Sequence, residues 1–312
     1  MKKKISIVIP VFNEENNIGV LCGELLMLIK ALHDFDFEII LVNDGSKDNS
    51  WQKINELASQ ASIIKGINLS RNFGHQIALS AGYDFATGDA IITMDADMQH
   101  PPHILPVMIE KWLEGNEIVY VKSAIRNDRF LKKITAQVYY RILHGMANVT
   151  IPRNVADFRL INKKVANALR QSKEKMPYLR GMVAWTGFKY TIVTCQFSER
   201  LSGVSGYTWK KMLKLAFDGI TSFAHFPLQF SLWLIFAVIF SGLFGMGYMI
   251  CKSVMCFESY SLFKWLLTVI YIGMGIQLFL CCLLGEYSAK IYDQLKERPL
   301  YIIDETFNIR QR

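Results

Sequence analysis

Two long stretches of this 312-residue chain contain no charged residue: Phe226 to Cys251, and Trp265 to Gly285. Each reaches the roughly 20 apolar residues needed to cross a bilayer core, and soluble helices seldom stay uncharged that long. Cysteine is sparse. The six present (Cys22, Cys195, Cys251, Cys256, Cys281, Cys282) form no C-x-x-C pair and no metal-ligand spacing, so they are read as reduced, buried and inert. The opening "MKKKISIVIP" has a basic head, but its apolar run stops at Pro10, too short for a secretory signal. The bulk of the chain is therefore expected to stay on the cytoplasmic side. No repeat, no low-complexity tract and no aromatic-basic RNA motif is present, which leaves a net charge of +8 pointing to anionic lipid or phosphorylated substrates and not to nucleic acid.

The first half alternates Ile/Val-rich runs with amphipathic segments. "ISIVIP", "FEIILVND", "IIKGINLS", "DAIITMD" and "EIVYV" read as strands, and the segments between them read as helices. That alternation predicts an α/β fold, a mostly parallel Rossmann-like sheet with helices on both faces. Ligands of such sheets bind at the carboxyl ends of the strands. The conspicuous polar residues fall there: Asn13 and Glu14 after the first strand, Asn43 and Asp44 after the second, Asp95 and Asp97 after the fourth. Asp95 and Asp97, one residue apart in "TMDADMQHPP", share a side and repel unless a cation sits between them. Mg²⁺ or Mn²⁺ bound by one or two carboxylates and by substrate phosphate suits that pair, with a carbonyl oxygen from Gln99. A capped turn would use the same residue types.

The segment joining the two uncharged runs is short, so they form a hairpin. Lys210, Lys211 and Lys214 before it and Lys290, Lys296 and Arg298 after it outnumber Lys252 and Lys264 inside, which places both termini in the cytoplasm. "LKKITAQVYYRILHGM" and "YTWKKMLKLAFDGITSF" have basic amphipathic patterns suited to the headgroup layer, or to packing on the sheet. The expected organisation is a catalytic domain over 1–205 including an interfacial helix at about 132–147, a juxtamembrane helix over 206–225, spans over 226–251 and 265–285 with an external loop at 252–264, and a cytoplasmic tail over 286–312.

"SIVIPVFNEENNI", "ILVNDGSKDNS", "LSRNFGHQIALSAGYDFATGDAIITMDADMQHPP", "VADFRLINKKV" and "ERLSGVSGY", in that order before a hairpin, resemble the family 2 glycosyltransferases of GT-A fold. The likeness extends over nearly the whole chain. It is strongest to the polyprenyl-phosphate group: bactoprenol (undecaprenyl-phosphate) glucosyltransferases, the undecaprenyl-phosphate aminoarabinose transferase and dolichol-phosphate mannose synthase. The resemblance implies an inverting, metal-dependent transfer of one sugar, glucose from UDP-glucose by preference, to polyprenyl phosphate at the inner face of a bacterial inner membrane, for O-antigen or other envelope glycans. Mannose, galactose, N-acetylhexosamine and aminoarabinose are the alternative sugars, and a membrane-tethered nucleotide-sugar binder without catalysis is the alternative to an enzyme. It also implies self-association and a small flippase partner. A processive synthase of the same superfamily is disfavoured, because its Q-x-x-R-W motif is missing.

Carried over by position, the nucleotide-sugar pocket falls on Pro10, Phe12, Asn13, Glu14, Asp44, Arg71, Gln76 and Asp95, and the metal on Asp95, Asp97 and Gln99. Asp157 of "ADFRL" matches the position usually assigned as the base, and with Asp97 is taken as catalytic. A polyprenyl phosphate has a second pKa of about 6 and needs little help in losing a proton, so positioning the acceptor is an equal reading for Asp157. Arg126, Arg129, Lys132, Lys133, Arg159, Arg200 and Lys210 are the candidates to meet the acceptor phosphate. Arg200 has the best claim because it opens "RLSGVSGY", where many relatives carry Lys at the position of Gly206.

Overall fold

The computed structural model describes residues 2–124, 152, 155–172, 179–197 and 262–309, with scattered positions between 237 and 248. The chain divides into two units, one of residues 1–219 and 298–312, the other of residues 220–297.

The first unit is built on an eight-stranded sheet. In chain order the elements are β1 (Lys3–Val11), α1 (Glu15–Ala31), β2 (Phe35–Asn43), α2 (Ser50–Gln60), β3 (Ile64–Leu69), α3 (His75–Phe85), β4 (Ala90–Thr93), a 3-10 turn (Pro102–Ile104), α4 (Leu105–Leu113), β5 (Ile118–Ser123), β6 (Val155–Asn162), α5 (Lys163–Gln171), α6 (Leu179–Trp185) and β7 (Tyr190–Cys195). A last strand, β8 (Ile303–Phe307), follows the long helix α7 (Leu262–Leu295) of the second unit. Spatial order is β7-β5-β6-β4-β1-β2-β3-β8. The β1–β2, β2–β3, β1–β4 and β5–β7 pairs are parallel, as the alternating pattern predicts. β6 runs antiparallel to β4 and β5, and β8 antiparallel to β3.

Strands covered on both faces read as unbroken apolar runs. Ile5, Ile7, Ile9, Ile39 and Leu41 pack under Ile18, Leu21 and Leu25 of α1, Ile54 of α2 and Leu105, Met108 and Ile109 of α4. Val8 and Val42 face the other way, against α3. Contact there is so close that a Cβ on Gly82 would come within 2.1 Å of Val8 Cγ1, so only glycine lets α3 seat. From β1 the chain proceeds outward through β2 and β3, then returns to place β4 on the other side of β1. The carboxyl ends of β1 and β4 thus flank the switch point where such sheets bind ligands.

The final strand corrects the expectation of a plain tail over 286–312. Ile303–Phe307 closes the sheet edge, Trp51 Nε1 donates to Glu305 at 2.9 Å, and Tyr301 Oη donates to Asp84 at 2.9 Å. Alternation over five residues with Asp304 and Glu305 inside it is too weak a strand signal to register alone; β3 supplies the template.

In the second unit, Val269–Ala289 of α7 is long and apolar enough to cross a membrane, with mean hydropathy 1.8 and no part of it buried. Its helix begins before and ends after the expected 265–285 span. The first expected span and both interfacial helices lie largely or wholly outside the described residues. Cys22 and Cys195 are buried as expected, and burial pushes the Cys22 thiol up to about 12. Cys281 and Cys282 lie within the apolar stretch Val269–Ala289 of α7 and are not covered by other described residues.

Candidate active site

At the end of β1 the chain turns through Asn13, whose φ of 56° is left-handed. The turn is knitted to the one after β2: Asn13 N donates to Ser46 Oγ at 2.9 Å and Lys47 N to Asn13 Oδ1 at 2.8 Å. Pro10 is buried beneath it, Phe12 presents an exposed ring, and Glu14 Oε2 accepts from Asn17 at 2.6 Å. The buried carboxylate of Asp44 accepts from the backbone N–H groups of Phe73 and Gly74 at 2.7 and 2.9 Å. Burial raises its pKa and outweighs those two bonds. Asp44 therefore shapes the pocket wall by tying down the loop before α3. Gly45 makes this possible: at φ +63° its backbone passes so close to Arg71 that a Cβ would fall 2.4 Å from the Arg71 carbonyl carbon. Arg71 is exposed and lays its guanidinium over the Phe73 ring, 4.1 Å from the centroid.

After β4 the D-x-D turn holds Asp95 partly exposed, its side chain 34% accessible, while Asp97 is buried and accepts from Gln99 N at 3.1 Å. Met98, between them and Gln99, sits at φ 62°, an uncommon conformation for a side chain of its size. His100 fixes the turn. Its ring stacks on Phe158 at 4.8 Å and Nδ1 accepts the Asp95 N–H at 2.9 Å, leaving Nε2 3.7 Å from the Asp95 carboxylate. His75, at the start of α3, approaches the same carboxylate from the opposite oxygen at 3.6 Å. Among the described residues no three His, Cys, Asp or Glu side chains converge into a metal cage. Two carboxylates at one strand end nevertheless fit a hard divalent cation whose other ligands are diphosphate oxygens and water.

Asp157 reaches this corner because β6 runs antiparallel to β4. Thr93 pairs with Arg159, and continuing that register carries Asp157 opposite Asp95. Thr93 Oγ1 donates to the Asp157 carbonyl at 2.7 Å, locking the two strands. The Asp157 carboxylate lies 3.9 Å from His75 and is held by two arginines: Arg180 Nε and Nη2 at 3.0 and 2.8 Å, and Arg159 Nη2 at 3.2 Å. Burial by itself would raise this carboxyl, but the Arg180 and Arg159 charges prevail and hold it far below the usual carboxylate range. Asp157 is therefore a poor proton acceptor and a strong electrostatic anchor. Arg159 is fully buried, and its Nε and Nη1 have no hydrogen-bond partner among the described residues. A side chain without solvent access cannot meet an incoming lipid phosphate, so its expected role as an acceptor contact is corrected to one of holding Asp157.

The family model of Glycosyl transferase family 2 matches residues 6–170, which contain every site residue just described except Arg180. The chain belongs to glycosyl transferase family 2. It is 41% identical over 98% of its length to an uncharacterized glycosyltransferase, YkcC, of Bacillus subtilis, covering 95% of that protein. It is 36% identical over 97% of its length to the bactoprenol glucosyl transferase of Shigella phage SfII, covering 98% of that protein. Among solved structures, glucosyl-3-phosphoglycerate synthase of Mycobacterium tuberculosis with Mn²⁺ and UDP-glucose aligns with 70% of this chain and 77% of its own at 18% identity and a TM-score of 0.46, a likeness too slight to speak for this chain.

The transferase thus gathers Asp95, Asp97, Gln99 and Asp157 at one end of β4 and β6, and Pro10, Phe12, Asn13, Glu14, Asp44 and Arg71 around the ends of β1, β2 and β3. Gln76, expected at the nucleotide sugar, accepts from Leu179 N through its Oε1 at 3.2 Å and so braces α6. Arg126, Arg129, Lys132, Lys133, Arg200 and Lys210 lie outside the described residues. Arg180 went unnoticed in the sequence, since "LRGMVAW" offers one arginine on a short helix with no motif around it. Its partner Asp157 lies 23 residues away, and only the β6 register and the start of α6 bring them together.

Proposed function

We propose that this transferase moves a single glucose from UDP-glucose to polyprenyl phosphate at the cytoplasmic face of the membrane, with inversion at the anomeric carbon. The observation that carries the reading is the D-x-D turn facing a carboxylate clamped by two arginines, so that sites for opposite charge stand side by side at the switch point. The name borne by the phage relative supports both the sugar and the lipid carrier.

Phe12 offers a ring face to the base, and the interlocked turns at Asn13 and Ser46 set the width of the slot it borders. Asp95 and Asp97, with the Gln99 carbonyl, are the residues that would hold Mg²⁺ or Mn²⁺. Such an ion, when bound, offsets the charge building on the departing nucleoside diphosphate. His75 and His100 keep the Asp95 carboxylate aimed. The acceptor oxygen is already anionic near neutral pH, so it can attack the anomeric carbon without a strong base, in keeping with the low proton affinity of Asp157. A tethered binder with no chemistry would have little use for a buried anion and two guanidinium groups beside the D-x-D turn.

Connectivity supports the membrane hairpin. Residues 1–219 and 298–312 form one unit, with β8 hydrogen-bonded to β3, so the segment between them must begin and end on the same side of any membrane it enters. If α7 crosses once, a second crossing belongs in residues 220–261, where the uncharged run 226–251 lies.

The test is incubation of membranes carrying the protein with polyprenyl phosphate and a panel of labelled UDP and GDP sugars, with and without chelator. Chelator-sensitive lipid-linked glucose is the expected product. Transfer of a different sugar would overturn the glucose assignment, and transfer at full rate in excess chelator would overturn the metal assignment.

A further inference from the structure

We infer that His75 and the Asp157 carboxylate together grip one hydroxyl group of the transferred hexose, which makes His75 a residue that selects the sugar. The inference deepens the proposed transfer and rests on a nucleotide sugar being the donor.

Spacing is the first ground. His75 Nε2 lies 3.9 Å from Asp157 Oδ2 and 3.6 Å from Asp95 Oδ1. Both gaps exceed the about 2.7–3.0 Å of a good hydrogen bond, yet each is narrow enough for one hydroxyl oxygen to touch both sides. A hydroxyl also suits the gap chemically. It has one proton to give to a carboxylate and lone pairs to accept from an imidazole N–H. A ring nitrogen facing two anionic oxygens carries its proton, so Nε2 is a donor in the neutral ring as well as in the charged one. Of the two carboxylates, Asp95 is the one proposed to serve the cation, which leaves Asp157 for the sugar. Asp157 Oδ1 accepts from Arg159 and from Arg180 Nε, while Oδ2 accepts one bond among the described residues, from Arg180 Nη2, and has capacity for a second. Its low proton affinity keeps it an acceptor.

Exposure and rigidity are the second. The His75 and Asp95 side chains are 37% and 34% accessible, so the gap is open to a substrate. It adjoins the turn proposed to face the donor diphosphate, to which the sugar is attached. The backbone around His75 is tied on both sides: Gly74 N donates to Asp44 at 2.9 Å, and Gln76 Oε1 accepts from Leu179 N at 3.2 Å. Polar groups fixed in advance discriminate well, because a sugar lacking the hydroxyl leaves them unpaired.

The test compares UDP-glucose, a series of monodeoxy UDP-glucose analogues and UDP alone on the full-length enzyme, by steady-state kinetics and by direct binding. Wild type should lose about 10- to 100-fold in kcat/KM on one analogue, the cost of leaving a charge-assisted site unpaired. His75→Ala should lower kcat/KM for UDP-glucose about 3- to 10-fold and shrink that one penalty by the same factor, with UDP affinity within about twofold of wild type. His75→Gln retains an N–H donor and should keep the penalty within about threefold of the wild-type value. Penalties in His75→Ala equal to those of wild type overturn the assignment. So does a loss of UDP affinity as large as the loss of UDP-glucose affinity, which would make His75 only a prop for Asp95. If wild-type enzyme transfers no sugar to polyprenyl phosphate, it is the proposed function that fails. The ratio of UDP-glucose to UDP affinity needs no acceptor and still decides the role of His75: it should fall about 3- to 10-fold in His75→Ala, and an unchanged ratio overturns the inference.

Discussion

Glu38 is the buried acid farthest in character from the site, and replacing it with Gln separates fold from function. It sits early in β2, opposite Ser6 of β1, near the amino ends of the strands. Its side chain is 2% accessible. Ser6 Oγ donates to it at 2.5 Å, Thr87 N at 2.7 Å, and Lys65 and Lys4 approach at 2.6 and 2.9 Å. Burial opposes ionisation, but the bonds from Lys65, Ser6, Lys4 and Thr87 win and bring the carboxyl from 4.5 down to about 2. Since each tenfold change in proton affinity corresponds to about 1.4 kcal/mol, the ionised network stabilises the fold by about 3 kcal/mol. Lys4 is partly exposed, and screening trims this to about 2–3 kcal/mol. The folded value is the lower one, so the contribution is complete above about pH 5 and drains away as pH falls from 4.5 towards 2. Glu38→Gln keeps the volume and loses the charge. In detergent-solubilised enzyme its unfolding midpoint at pH 7 should drop by on the order of 5–10 °C, with UDP affinity unchanged, and the difference from wild type should shrink as the pH is lowered below 4.5. A loss below about 0.5 kcal/mol, or a difference that persists at low pH, would refute this account of the network.

Two further perturbations address the site. Asp97→Ala should cut transfer by at least about 100-fold and abolish the metal-dependent part of UDP binding, measured by calorimetry with and without Mn²⁺; full activity would end the assignment of the D-x-D turn. Asp304 of β8 accepts from Asn68 at 3.1 Å, Asn68 accepts from Asn43 at 2.7 Å, and Asn43 accepts from Ser46 N at 3.3 Å, a relay ending at the turn that borders the nucleotide slot. Asp304→Ala should weaken UDP binding about three- to tenfold, and removal of residues 298–312 should weaken it further while lowering the unfolding midpoint; UDP affinity equal to wild type in both would show that the strand is only an edge cover. Cutting the chain after Phe226 removes β8 as well as the apolar runs, and so leaves the sheet edge at β3 uncovered.

Local pattern was enough for β1 to β5 and the helices between them, because Ile/Val-rich runs buried on both faces and amphipathic helical stripes are written in consecutive residues. It was enough, too, to place Asp95 and Asp97 together just after a strand end, the position on which their proposed metal role is argued. β6 was read only as the motif "ADFRL", and β7 and β8 not at all, since short strands with polar or alternating residues become strands by pairing with a template already present. The roles at the site depended on the same non-local pairing. Asp157 could be read from the sequence as a base or as a positioning group, and it is antiparallel β6 and α6 that set it beside Arg159 and Arg180; Asp44 and Gln76, expected at the nucleotide sugar, also bind the protein's own backbone. Residue type and order determined the family, the sheet and the pair of carboxylates at the end of β4; tertiary structure decided which charges meet, because proton affinity and orientation are set by neighbours in space.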